Sequence, residues 1–223
     1  MILGIDTSIG TAVAIVDPTG EVRAEAVSDD TRGHAEVIGD LLVRALSQAG
    51  LRAADITAVA SGMGPGPFTG LRVGIAAARA FAIGRGIPVV AVASHDAAAL
   101  ARTHPVHRES GVVVPVEGEP IAIVTDARRR ELAVSVYRVE GGVPVRIVEP
   151  HLVARSSAEV VELFGASAAE LPETTRISAV ALARIAASRL RAGTAELSAG
   201  SEPLYLRTPD VTLPAAGPKK VGT

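Results

Sequence analysis

The 223-residue chain predicts an α/β fold in two lobes, and three observations carry that prediction. Short β-branched runs separated by tight turns open the sequence, which is the pattern of an antiparallel meander. The period then switches to helical spacing, with apolar side chains at Val37, Ile38, Leu41, Leu42, Ala45, Leu46 and Ala49 and a stop at Gly50. After residue 111 the chain begins a second series of strands, so two lobes of about a hundred residues each fit its length.

Element by element, strands are expected at 2–6, 11–16 and 22–27, with turns at Ser8-Ile9-Gly10 and at Asp17-Pro18-Thr19-Gly20. A helix follows over 34–49, a strand over 56–61, a glycine-rich loop, and a helix over 69–84. A strand at 88–92 and an Ala-rich helix at 94–102 close the first lobe. A meander feeding a βαβ crossover makes a mixed sheet with helices against it. The division predicted is a first lobe over 1–102, a smaller lobe over 103–200, and an extended tail over 201–223. Within the second lobe, strands are expected at 112–116, 121–126, 132–139 and 143–152, then helices at 158–164 and 177–191.

Composition narrows function. Hydrophobic residues make up 48% and charged residues 21%, enough apolar area to oppose disorder. Three Phe, two Tyr and no Trp leave little for base stacking, and a net charge of -2 gives no footprint for unaided nucleic-acid binding. With no cysteine, disulfides, thiolate metal sites and a Cys nucleophile are excluded. Ile2 to Asp6 lacks a basic flank and meets a carboxylate at once, unlike a signal peptide, and no apolar run is long enough to span a bilayer. A cytoplasmic protein without membrane contact is expected.

Two segments could carry chemistry. Asp6, Thr7, Ser8, Gly10 and Thr11 form a turn that resembles the first phosphate loop of the ATPases related to actin, hexokinase and the heat-shock chaperones. The same residues also suit an ordinary polar turn in which Asp and Ser bond their own backbone, and their spacing favours that. The elbow Gly64-Pro65-Gly66-Pro67-Phe68-Thr69-Gly70-Leu71-Arg72-Val73-Gly74 stands before a helix N-terminus, where anions bind. It lacks the Lys-Ser/Thr of a phosphate loop, and its prolines supply no N–H, so it reads as a rigid element that presents a helix for close packing.

His104 and His107 flank Pro105 with no third ligand nearby, and His34 has Ile38 where a helical metal pair would need its second histidine. Ser94-His95-Asp96 is no triad, since neighbours on a helix point apart, and Ser94 is expected as an N-cap. Asp126-Ala127-Arg128-Arg129-Arg130-Glu131 reads as a charged, solvated hairpin turn, with a partner or phosphate contact as the second reading. No catalytic residue, cofactor or metal is expected.

Ile5-Asp6-Thr7-Ser8, the elbow, Asp126-Ala127-Arg128-Arg129 and Pro203-Leu204-Tyr205-Leu206-Arg207 together resemble the TsaB family over nearly the whole chain. These are bacterial subunits of the tRNA threonylcarbamoyladenosine machinery, formerly grouped with glycoproteases. The resemblance implies a two-lobed actin-like fold of the ribonuclease H type without an intact catalytic site. It implies pairing with a TsaD-like transferase that carries the metal-binding histidines, a TsaE-like ATPase in the assembly, tRNA reached only through the complex, and a homodimer when alone. It places the partner surface on Val37, Leu41, Leu42 and Ala45 of the first helix and on Phe68, Leu71, Gly74, Ala77 and Ala78 of the second.

The first helix has more apolar rows than one sheet can cover, and the small residues of the second allow close approach. A glutamate at Gly74 or Ala78 is therefore expected to break pairing and leave the fold intact. Two features depart from the family: Pro67 stands where relatives usually have Ser, and 165–175 is brief and poor in β-branched residues. Rival readings are an actin-like ATPase or sugar kinase, a glycoprotease-like metallopeptidase, and a free-standing structural dimer. Gly141-Gly142, in an expected hairpin, does not suit the adenosine site a kinase needs.

Overall fold

The computed structural model describes residues 1–105, 114–155, 157–158, 173–195 and 202–207. Strands β1 (Ile2–Asp6), β2 (Thr11–Val16) and β3 (Val22–Ser28) form the meander, and α1 (His34–Ala49) follows. Next come β4 (Ala58–Gly62), α2 (Phe68–Arg85), β5 (Val89–Val92) and α3 (Ser94–Thr103). The first sheet has the order β3-β2-β1-β4-β5, antiparallel in the meander and parallel from β1 through β4 to β5. Strands β6 (Pro120–Asp126), β7 (Glu131–Glu140) and β8 (Val143–Ala154) make a separate antiparallel sheet, and α4 (Ala179–Ala192) comes after them.

Alternation along β1 and β2 feeds two cores, one on each face of the first sheet. Leu3, Ile5, Val13 and Ile15 point to one face, where Ile38, Leu41 and Ala45 of α1 and Ala78 and Ala82 of α2 cover them. Ile2, Ala14 and Val16 point to the other, into a core they share with Ala179, Ala183 and Ala186 of α4 and, on the far side of that helix, Ala97 and Ala98 of α3. Ile121, Ile123, Tyr137 and Val139 of the second sheet join this second core. Both α1 and α2 end on a left-handed glycine, Gly50 and Gly86, each at φ 64°.

The second sheet is fastened to α3 by polar groups. Asp96 accepts from Tyr137 Oη at 2.9 Å and from Arg146 Nη2 at 2.5 Å, and Arg189 Nη2 approaches to 3.4 Å. His95 lies fully buried between Ser135 Oγ at 2.7 Å and Thr125 Oγ1 at 3.0 Å.

One expected strand changes. Residues 114–116 carry no strand, and the rest of that expected strand lies outside the described residues. The helix expected over 158–164, apart from its first residue, and most of 165–175 also lie outside them, as do His107 and the tail beyond 207. The last helix, α4, packs on β1 and β2 of the first sheet. Its small face (Ala179, Ala183, Ala186 and Ala187) matches the small side chains of that sheet better than the bulkier second sheet.

Candidate functional site

The site is built from the β1–β2 turn and the elbow that precedes α2. Asp6 ends β1 fully buried, and Ser8 and Ser94 both donate to it. Its Oδ1 accepts from Ser8 N at 2.8 Å and Ser8 Oγ at 2.6 Å, and its Oδ2 accepts from Ser94 Oγ at 2.5 Å. Ser94 Oγ accepts in turn from the Gly64 amide at 3.1 Å, tying the carboxylate to the start of the elbow. Ser94 is thus no N-cap: Ala93 holds that position, without a side-chain bond.

Thr7 locks the turn to α2. Its hydroxyl donates to Gly70 O at 2.7 Å and accepts from Gly74 N at 3.0 Å, so it bridges the carbonyl and amide of one helical turn. Thr11 Oγ1 lies 2.9 Å from His34 Nδ1. The elbow glycines allow this approach: a Cβ at Gly66 would stand 2.7 Å from Ser8 O, and one at Gly70 2.9 Å from Thr7 O. Gly10, also in the turn, lies against the backbone of Ser28. α2 lies against one side of this turn, bonded there through Thr7.

Burial pushes the Asp6 carboxyl above its ordinary value, with the Ser8 and Ser94 hydrogen bonds and the charge of His34 opposing. The folded protein therefore holds this proton to higher pH than the unfolded chain, whose value is 3.8. Its contribution to stability falls as pH rises from 3.8 through the raised value. Asp6→Asn removes that slope, so across pH 3.5 to 7 the stability difference in urea melts shifts toward the variant as pH rises. A constant difference would refute the assignment.

The partner residues expected from sequence divide into two groups. Leu41, Ala45, Leu71, Gly74 and Ala78 are buried in the chain's own cores, and Val37, Leu42, Phe68 and Ala77 are half-buried. The apolar positions that α1 and α2 leave in the open are others, among them Val43 at 68% exposure, Ala76, Ala80, and Ile83 at 80%. The expectation that Gly74 and Ala78 lie outside the core is thus corrected. Leu71, Gly74, Ile75, Ala78 and Ala82 share one buried face, and the outward small residues lie next to it in helical phase.

Three of the four motifs that carried the resemblance converge here. Pro65 to Phe68, Thr125 to Arg129 and Tyr205 to Arg207 line one cleft of about 280 Å³. The Arg72 guanidinium lies 3.6 Å over the Phe68 ring and donates from Nε to Tyr205 Oη at 3.1 Å, with the two rings 4.6 Å apart. Leu204 N donates to Met63 O at 2.8 Å, fixing 202–207 beside α2. The Ser94–Asp6 bond carries no local sequence signal. Among the described residues, no three His, Asp or Glu side chains gather as a metal set, and no helix is long and apolar enough to cross a membrane.

Residues 21–170 match the family model for TsaD, tRNA N6-adenosine threonylcarbamoyltransferase. An uncharacterized protein of Mycobacterium tuberculosis is 35% identical over 217 residues, covering 94% of this chain and 92% of that one. The tRNA N6-adenosine threonylcarbamoyltransferase of Rhodospirillum rubrum is 37% identical over 112 residues, covering 41% of this chain and 31% of that enzyme. A crystal structure from Pseudomonas aeruginosa, of a protein with similarity to the peptidase YeaZ, superposes with a TM-score of 0.73 at 24% identity over 92% of this chain and 99% of that one. That likeness shows the fold. The chain belongs to the TsaD family of the tRNA threonylcarbamoyladenosine system, and its motifs are those of the TsaB members.

Proposed function

We propose that the chain is a non-catalytic subunit that pairs through α1 and α2 with a TsaD-like threonylcarbamoyltransferase. The pair makes N6-threonylcarbamoyladenosine next to the anticodon of tRNA, in the cytoplasm, with a TsaE-like ATPase joining the assembly. Without its partner the chain forms a homodimer through the same helices. One observation carries the reading: the turn that resembles a phosphate loop is occupied from within. Both Asp6 oxygens are engaged by Ser8 and Ser94, and Thr7 is bonded into α2. The outer side of α1 and α2 supports the pairing, since Val43 and Ile83 stand in water with small Ala76 and Ala80 beside them.

The test is co-purification with the TsaD-like protein of the same organism, followed by light scattering. Ala80→Glu with Ile83→Asp should leave circular dichroism unchanged, because both positions are exposed. A desolvated, unpaired carboxylate costs several kcal/mol, so the affinity should fall by about a hundredfold or more. Unchanged affinity would place the interface elsewhere. ATP turnover by the isolated chain that Asp6→Ala abolishes would favour the kinase-like reading instead.

A further inference from the structure

Arg72 begins the exposed row of α2. Arg72, Ala76, Ala80 and Ile83 recur at helical spacing on the side turned away from the cores, and all four are exposed. The last three are apolar, so the row ends in a single guanidinium. No charge on α2 offsets it, because the helix from Phe68 to Arg85 contains no Asp or Glu.

The guanidinium is held in place from two sides. It leans back one turn over the Phe68 ring, 3.6 Å from the centroid, and its Nε donates to Tyr205 Oη at 3.1 Å. Tyr205 is fixed in turn. Its ring lies 4.6 Å from that of Phe68 and packs on the cluster of Met63, Leu71 and Ile75, and the neighbouring Leu204 amide donates to Met63 O. In a chain with three Phe and two Tyr, one of each serves to order this one exposed arginine. These contacts use Nε and the face of the group. The two Nη groups, the end of the fork that takes a carboxylate, have no ion-pair partner among the described residues.

A flexible arginine gives up its rotamers on binding, whereas this one is ordered before a partner arrives. Tyr and Arg are also the side chains on which binding energy concentrates at interfaces. We propose that Arg72 anchors the pairing by taking a carboxylate of the transferase, with Phe68 and Tyr205 as positioning residues. The inference rests on the pairing proposed above and names the charge its partner must bring. The apolar residues that continue the row fit a protein surface, so the anion is an Asp or Glu side chain rather than a phosphate.

The test uses the full chain and the TsaD-like protein of the same organism, with affinity measured by calorimetry at physiological salt. Arg72→Gln should weaken pairing by about thirtyfold or more, because a desolvated carboxylate loses its counter-charge. Its circular dichroism and melting temperature should stay close to the parent, since the position is exposed. Tyr205→Phe, which removes only the hydroxyl, should weaken pairing by about threefold. Arg72→Lys allows the contact to be identified. The chain's only lysines are Lys219 and Lys220, and a carbodiimide joins an amine to a carboxylate in contact with it. Mass spectrometry of the treated complex should therefore link position 72 to an Asp or Glu of the transferase.

Unchanged affinity in Arg72→Gln would overturn the proposal and leave the pairing standing. A loss that Tyr205→Ala equals, with a lowered melting temperature in both variants, would also overturn it, because the arginine would then act only by holding residues 202–207. A link from position 72 solely to a second copy of this chain would make the arginine a homodimer contact and overturn it too. If the parent chain forms no complex, the pairing falls and the anchor falls with it.

Discussion

Gly74→Glu is expected to unfold the chain rather than detach a partner. The position lies on the buried face of α2, and its amide donates to Thr7 Oγ1 at 3.0 Å. A Cβ there would collide with that hydroxyl and stand 3.1 Å from Thr7 Cγ2. Overpacking costs about 1–3 kcal/mol, and a Thr7 hydroxyl displaced from its partners costs about 1–3 kcal/mol more. A carboxylate buried there without a counter-charge costs several kcal/mol in addition. Against a total stability of about 5–15 kcal/mol, that sum removes most of the margin. A melt followed by circular dichroism should show no cooperative transition, or one far below the parent. Even Gly74→Ala should destabilise, through the first two costs alone. A folded Gly74→Glu chain with a near-parental melting temperature would show that α2 can slide off the turn.

The second large effect is acid destabilisation through His95. Burial is the main cause and the nearby charge of Arg146 the second, and together they hold the imidazole down at about 3 from an ordinary 6.5. The ring is neutral, with one nitrogen donating and the other accepting, and Ser135 and Thr125 complete both bonds. Between these two values the unfolded chain binds the proton and the folded one does not. The stability present above pH 6.5 is therefore lost as pH falls toward 3, by on the order of 5 kcal/mol over the whole window. Urea melts at pH 7.5 and pH 4.5 should differ by about half that amount for this group alone. His95→Gln, which can still donate to and accept from the two hydroxyls, should lose much of the difference. An equal pH dependence in both proteins would remove His95 from the account.

The first sheet was legible in the sequence because local signals decide it. Alternation, tight turns, a helical stripe and Gly50 fix β1 to α1 with ends displaced by at most one residue. The Asp6 turn was legible as a self-bonded polar turn, since Ser8 lies two residues from Asp6 and an Asx-type bond needs nothing distant. Its other half was hidden. Ser94 is 88 residues from Asp6, and nothing around either residue marks the pairing. Which side of α2 is buried was hidden for a different reason. Adjacent alanines at 76, 77 and 78 read alike in sequence, while a helix turns each by about 100° to a different side. The buried side is chosen by where Thr7 and the sheet stand.

The return of α4 to the first sheet also sets an order of events during synthesis. Ile2, Ala14 and Val16 lie near the start of the chain, and much of their cover comes from Ala179 to Ala187. Until that late segment has left the ribosome, the sheet presents one finished face and one bare one. Loop closure over such a separation is entropically costly and slow compared with forming the meander itself. The nascent chain therefore passes through a half-covered state with an apolar surface, open to a chaperone or to another nascent chain. The complete protein no longer shows that surface.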